Sequence, residues 1–200
     1  MTEQKRIEMM KIIEQRCIEF GDFTLASGAK SNYYYNIKNI LLDGNVMSLL
    51  GDLILDELTK FEPTPKSLGG LESSAIALAS AVSLRSYNKH RQTDGVKGFF
   101  VRKNVKTHGS QRRIEGNLVP PIIIIDDVIT KGGSIMEAMN AINAQGHTVK
   151  GVICVIDREA QENQLKKNGI NYTSLFTHSD FEKYIRKNIL IGKLVRNLAS

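Results

Sequence analysis

The sequence predicts an α/β fold: a doubly wound, mostly parallel sheet with a small N-terminal hood. Three observations carry that prediction. The run Ile122 to Ile125 is β-branched at every position and is stopped by charge, which marks a strand buried on both faces, as in a parallel sheet. From residue 67 onward, short apolar runs alternate with segments of helical period, the pattern of βαβ units with right-handed crossovers. The chain has 200 residues, 42% of them hydrophobic and 24% charged, the size and make-up of an ordinary globular α/β unit. Residues 1–40 read as the hood and residues 41–200 as the core with a C-terminal helix, within a single structural domain.

Taken in order, residues 2–20 form an amphipathic helix, with Ile7, Met10 and Ile13 at helical spacing and Gly21 at its end. The stretch FTLASGAKSNYYYNIKNI is β-rich around a Ser-Gly turn and reads as a hairpin. Helical period returns over residues 45–60, and Pro63 and Pro65 break the chain before the short strand SLGGL. Next come a helix from Ser74 to Arg85, a strand from Gly98 to Arg102 and a polar loop from Lys103 to Asn117. The core strand Ile122 to Ile125 follows, with a helix from Ser134 to Gln145 and a strand from Val149 to Ile156. A helix from Ala160 to Lys167, the strand INYTSLF and a helix over 179–197 complete the chain. No repeat or low-complexity segment is visible.

Charge and composition narrow the function. The net charge is +6, and six basic residues between Lys97 and Arg113, with no acid among them, account for it. Elsewhere bases and acids balance. Such a segment suits nucleic acid or an enzyme whose substrate carries several phosphates. No apolar run approaches the roughly 20 residues of a membrane helix. The first sixteen residues, MTEQKRIEMMKIIEQR, are too charged for a signal peptide. Cys17 and Cys154 stand far apart in no metal spacing, as buried thiols of a reducing compartment do, so a cytoplasmic protein is expected.

The chemistry concentrates in PIIIIDDVITKGGSIMEAM, Pro121 to Met139. A strand runs into Asp126 and Asp127, then into Val128, Ile129, Thr130, Lys131, Gly132, Gly133 and Ser134, where a helix begins. Glycine lets backbone approach a phosphate, and the first N–H groups of the helix favour negative charge. The two acids call for hydroxyls or a metal ion nearby. A sugar phosphate meets both demands. Neither G-x-x-x-x-G-K-[ST] nor G-x-G-x-x-G is present, which disfavours an NTPase or dinucleotide site.

IIIIDDVITKGGS resembles the 5-phosphoribosyl 1-pyrophosphate (PRPP) motif of type I phosphoribosyltransferases. The resemblance implies that Asp126 and Asp127 hold the ribose hydroxyls with Mg²⁺ nearby, and that Val128 to Ser134 hold the 5′-phosphate. The basic loop VRKNVKTHGSQRRIEG is similar to the catalytic loop of orotate phosphoribosyltransferases. Arg102, Lys103, Lys106 and His108 carry over as PRPP contacts, and Lys103, Lys106 and His108 join Asp126 and Asp127 as the catalytic set. That loop is implied to close over PRPP in the neighbouring subunit, making a homodimer with shared sites. FGDFTLASGAKSNYYYN resembles the hood of the same enzymes, which puts Tyr34 and Tyr35 near the pyrimidine. VICVIDREA resembles the strand end that gives Arg158 to the carboxylate of orotate, with Thr130 as a further contact to the base. GGLESSAIALASA resembles the pyrophosphate-side loop. Ala26 and Ser74 stand where bacterial members carry lysine, with Lys30 a nearby replacement for the first.

The implied activity is transfer of phosphoribose from PRPP to orotate, giving orotidine 5′-monophosphate and pyrophosphate for pyrimidine synthesis. Each motif also has a plainer reading: ordinary strand-end and turn chemistry, a solvated basic loop, a surface salt bridge at Arg158, a structural Glu72. The alternatives are a phosphoribosyltransferase for another base and a PRPP-sensing regulator that binds nucleic acid. Purines offer no carboxylate for Arg158, and a single helix before the hood is too little for a winged helix. Neither nucleic acid nor membrane is an expected partner.

Overall fold

A computed structural model describes residues 2–25, 28–89, 95–104 and 112–198. Lys106, His108 and Ala26 lie outside them. Helix α1 (Thr2–Arg16) leads into a hairpin of β1 (Ile18–Thr24) and β2 (Lys30–Tyr35). Then come α2 (Gly44–Leu58), β3 (Ser67–Leu71), α3 (Ser74–Lys89), β4 (Lys97–Val101), β5 (Ile114–Gly116) and β6 (Ile122–Ile129). The chain continues through α4 (Gly133–Asn143), β7 (Val149–Asp157), α5 (Gln164–Lys167), β8 (Tyr172–Thr177) and α6 (His178–Leu198). The six-stranded sheet has the order β5-β4-β3-β6-β7-β8, parallel throughout except for the β4–β5 pair. This is the doubly wound, mostly parallel architecture with its hood.

The isoleucine run explains the layering. Successive strand residues face opposite sides. Ile123 and Ile125 join one buried cluster, with Leu50, Ile54, Leu78 and Val82 of α2 and α3. Ile122 and Ile124 join the other, with Ile135, Ala138 and Ile142 of α4 and with Leu165. Met9 and Ile13 of α1 and Tyr35 of β2 belong to the first cluster, so the hood shares the core of the sheet. Asp52, 4% exposed, ties three helices: Lys5 donates to it at 2.5 Å and Arg85 grips it with two nitrogens at 2.9 Å.

Several boundaries differ from those the sequence suggests. The first helix stops at Arg16, not Gly21, and Gly21 lies inside β1 at a register irregularity between Phe20 and Phe23. The polar stretch after Lys103 contains β5, a short antiparallel edge strand on β4. The helix expected from Ala160 shrinks to four residues, because Asn163 caps it by accepting the Leu165 N–H at 2.8 Å.

Candidate active site

The strand order reverses direction between β3 and β6. Loops leaving the two strands part there, which opens a crevice at their carboxyl ends, where ligands of open α/β sheets bind. The β3–β6 ladder ends at the pair Gly69–Ile124, whereas β6 runs on to Ile129 against β7. Asp126 and Asp127 therefore lie within β6, not beyond it, on the stretch where one edge has lost its neighbour. A cleft of about 320 Å³ occupies that position.

Five segments line it. The β3–α3 turn supplies Glu72, Ser73 and Ser74; β6 and its loop supply Asp126, Asp127, Val128, Thr130 and Ser134; the hood supplies Leu25, Tyr34, Tyr35 and Lys38. Lys103 and Arg158 complete the wall. The structure thus brings together the acids, Val128, Thr130 and Ser134 of the loop after them, Tyr34 and Tyr35, Lys103 and Arg158.

Burial and the adjacent Asp127 push the Asp126 carboxyl well above its ordinary range, against a smaller opposing pull from Lys103. Ser74 Oγ donates to Asp127 Oδ2 at 2.9 Å, so a neutral hydroxyl from the β3–α3 turn touches the acid pair. Glu72 is braced: it accepts the Lys103 backbone N–H at 2.9 Å, and its own N–H donates to Val101 O at 2.9 Å. Those bonds clamp the β3 loop to the start of the basic segment.

The loop expected to hold the phosphate ends at Gly132, whose φ of +82° turns the chain into α4. Among the described residues no side chain caps α4, so its first N–H groups face outward from Gly133 and Ser134 with the positive end of the helix dipole. Ile129 is buried in the core beneath them. Lys131 points away from the cleft and pairs with Glu162 at 2.7 Å. Arg102 also points elsewhere: it pairs with Glu115 at 3.2 Å and lies over the Phe100 ring. Lys30 donates to Thr24 Oγ1 at 2.7 Å.

Arg158 sits where β7 ends. Its guanidinium carbon stands 4.9 Å from the Tyr33 ring centre and 5.6 Å from that of Tyr35. Asp157 beside it is buried, accepting from Tyr172 Oη at 2.9 Å and from the Glu159 N–H at 2.8 Å. Lys38 and Tyr33 are the residues sequence reasoning passed over. Lys38 has no motif around it. Tyr33 was hidden among three tyrosines whose facing depends on hairpin register.

No protein-family model matches the chain. An orotate phosphoribosyltransferase of Methanosphaera stadtmanae is 33% identical over 189 residues, spanning 92% of this chain and 100% of that one. Its counterpart in Methanopyrus kandleri is 34% identical over 182 residues, 90% of this chain and 92% of its own. The solved Mycobacterium tuberculosis orotate phosphoribosyltransferase superposes with a TM-score of 0.71 at 28% identity, covering 88% of this chain and 98% of that one. With a doubly wound sheet, an acid pair at its switch point and this extent of likeness, the chain belongs to the orotate phosphoribosyltransferase family.

Proposed function

We propose that the cleft joins orotate to the ribose of PRPP, releasing pyrophosphate and forming orotidine 5′-monophosphate. One observation carries this reading: an acid pair with an uncapped helix start, and a guanidinium backed by aromatic rings, line a single cleft. The first pair of features suits a sugar phosphate. The guanidinium suits a planar carboxylate, which it can grip with two parallel hydrogen bonds. Among the described residues no carboxylate pairs with Arg158, so its donors remain for a ligand. Residues 1–40 act as a cap on the 41–200 core, consistent with Tyr34, Tyr35 and Lys38 in the wall.

In this reading Asp126 and Asp127 accept hydrogen bonds from the ribose hydroxyls, and the loop from Val128 to Ser134 holds the 5′-phosphate. Thr130 and Arg158 hold the base against Tyr34 and Tyr35. As the bond from C1 to pyrophosphate breaks and the bond to the pyrimidine nitrogen forms, positive charge grows on the sugar and negative charge on the leaving group. Lys103 stands in the wall to meet the latter. Lys106 and His108 are assigned the same end by resemblance, Lys106 as the main charge-stabilising side chain and His108 as a hydrogen-bond donor. Arg102 would have to leave Glu115 to contribute.

Among the described residues, no group of three or more His, Cys, Asp or Glu is arranged to hold a metal ion. Two carboxylates do line the cleft, and Mg²⁺ is commonly held by one or two carboxylates plus substrate phosphates. Asp126 and Asp127 fit a Mg²⁺ that arrives on PRPP, where it would neutralise charge on the departing pyrophosphate.

A second copy of this chain is the proposed partner. Helix α3 leaves Ile76, Leu84 and Tyr87 exposed, and they border a groove of about 610 Å³ along β4 and β5, the strands that flank the basic segment. An apolar face of that kind marks an interaction surface. Shared sites make a specific demand: mixing Lys106→Ala chains with Asp126→Asn, Asp127→Asn chains should restore part of the activity that each has lost. No recovery in the mixture would refute sharing. Among the described residues no helix is long and apolar enough to cross a membrane, and the expected compartment is the cytoplasm.

Arg158→Ala tests the carboxylate assignment. Loss of two charge-assisted hydrogen bonds, at about 1.5–3 kcal/mol each, should raise the KM for orotate by roughly a hundredfold or more and leave the KM for PRPP nearly unchanged. Equal rises in both would overturn the assignment. Orotate consumption, followed by its near-ultraviolet absorbance with and without PRPP and Mg²⁺, tests the activity itself.

A further inference from the structure

We propose that His178 is a positioning residue for pyrimidine recognition: with Tyr33 and Tyr35 it forms a bracket that fixes where the Arg158 guanidinium stands. The proposal rests on the reading of Arg158 as the contact to the substrate carboxylate. His178 opens α6, more than 140 residues from the hairpin in sequence. Its ring stacks on Tyr33 with centroids 5.3 Å apart and planes 3° from parallel. Its Nδ1 lies 3.0 Å from Tyr35 Oη and 3.4 Å from Tyr33 Oη. The two tyrosines meet edge to face at 5.6 Å. Arg158 lies over both. One histidine therefore fixes the two rings that form the seat of the guanidinium.

A second tether ties the same corner to the residue after Arg158. Glu159 takes a left-handed φ of 54°, and its Oε2 accepts the Ser179 N–H at 2.8 Å and Ser179 Oγ at 2.6 Å. Burial and the charge of Arg158 hold His178 below its ordinary pKa, opposed by Glu159 and Glu182. Burial likewise keeps the Tyr35 phenol protonated. A neutral imidazole can then accept at Nδ1 from Tyr35 Oη, the arrangement with no second cation beside Arg158. Because an arginine has many rotamers, a fixed seat lowers the entropy lost when a carboxylate binds.

The experiment is steady-state kinetics on His178→Ala, His178→Asn, Arg158→Ala and the double variant His178→Ala, Arg158→Ala. His178→Ala should raise the KM for orotate about 3- to 10-fold, the effect of freeing one rotamer-rich side chain, with the KM for PRPP within about twofold. His178→Asn, whose amide can still meet Tyr35 Oη, should recover part of that loss. In the Arg158→Ala background, His178→Ala should cost nothing further, because the guanidinium that it positions is gone. The proposal is overturned if the cost is the same in both backgrounds, or if both KM values rise together. If Arg158→Ala itself leaves the KM for orotate unchanged, the carboxylate assignment fails. If Arg158→Ala raises it while His178→Ala does not, only the positioning role fails. Should His178→Ala not fold, the same comparisons are made with His178→Asn.

Discussion

Gly132 is a position where a single methyl group asks much of this structure. Its φ of +82° lies in the left-handed region, which costs a side-chain-bearing residue about 1–2 kcal/mol. A Cβ there would also collide with Leu165 Cδ1. Leu165 is fully buried and cannot swing into solvent, so the collision becomes overpacking, at about 1–3 kcal/mol. Together Gly132→Ala should cost about 2–5 kcal/mol. At about 2–4 °C per kcal/mol for a domain of this size, the melting temperature should drop by about 4–20 °C. Gly133→Ala is the matched control: nothing lies within 4 Å of its added methyl, and its cost should stay within about 0.5 kcal/mol. Asparagine tolerates the left-handed region, yet Gly132→Asn should do no better than Gly132→Ala, because Leu165 blocks both. The displaced turn carries the phosphate loop, so the KM for PRPP should rise in Gly132→Ala more than in Gly133→Ala. Thermal melts by circular dichroism and the orotate assay read the two effects. A Gly132→Ala protein that melts with the wild type would show that Leu165 does not buttress this turn.

Asp126→Asn should melt higher than the wild type at neutral pH while losing PRPP binding. Burial and Asp127 raise the folded pKa of Asp126, so its contribution to stability is complete below the unfolded carboxyl's pKa and is lost as pH rises through the raised one. Asparagine removes that loss, and a lower melting point at neutral pH would count against it. Asp52→Asn should do the reverse. Burial resists the charge of Asp52, but hydrogen bonds from Lys5 and Arg85 outweigh it and lower its pKa, so its stabilisation is present above the unfolded pKa and fades as pH falls through the folded one. Removing the charge leaves two cations unpaired. Because both reach water, the cost should be about 2–3 kcal/mol, below the usual loss for a fully buried pair, with kcat unaffected; an unchanged melting temperature would refute the ion pair's role.

How much of this was legible depends on whether a residue's role is local. Ile122 to Ile125 announced a doubly buried strand by composition, and the acids and glycines after it announced a turn into a helix by order. Their exact place did not follow from sequence. Asp126 and Asp127 read as residues past a strand end, whereas β6 continues through them and it is β3 that has parted. Only a neighbour's length decides that. Three tyrosines in a row likewise say nothing of which face each takes. The register Ile18–Tyr35 and Phe20–Tyr33 turns Tyr33 and Tyr35 to a common side, where His178 waits at the start of a helix with no motif of its own.

The run from Asp157 to Leu165 shows why the two ends of the cleft are held in one frame. Asp157 accepts from Tyr172, whose hydroxyl in turn accepts from Asn163 at 3.3 Å. Asn163 caps the short helix whose Gln164 N–H donates to Lys131 O at 3.0 Å, and whose Leu165 fills the space beneath Gly132. The same run includes Arg158, which lines the cleft. The guanidinium and the turn at Gly132 are therefore linked by a short, hydrogen-bonded path, not carried on two independent loops. A reaction that must hold a pyrimidine nitrogen in line with a ribose carbon gains from such a path, since a shift of about 1 Å between the two substrates is enough to slow bond formation. Sequence alone could mark both ends of that path; the span between them exists only once β7 and β8 are paired.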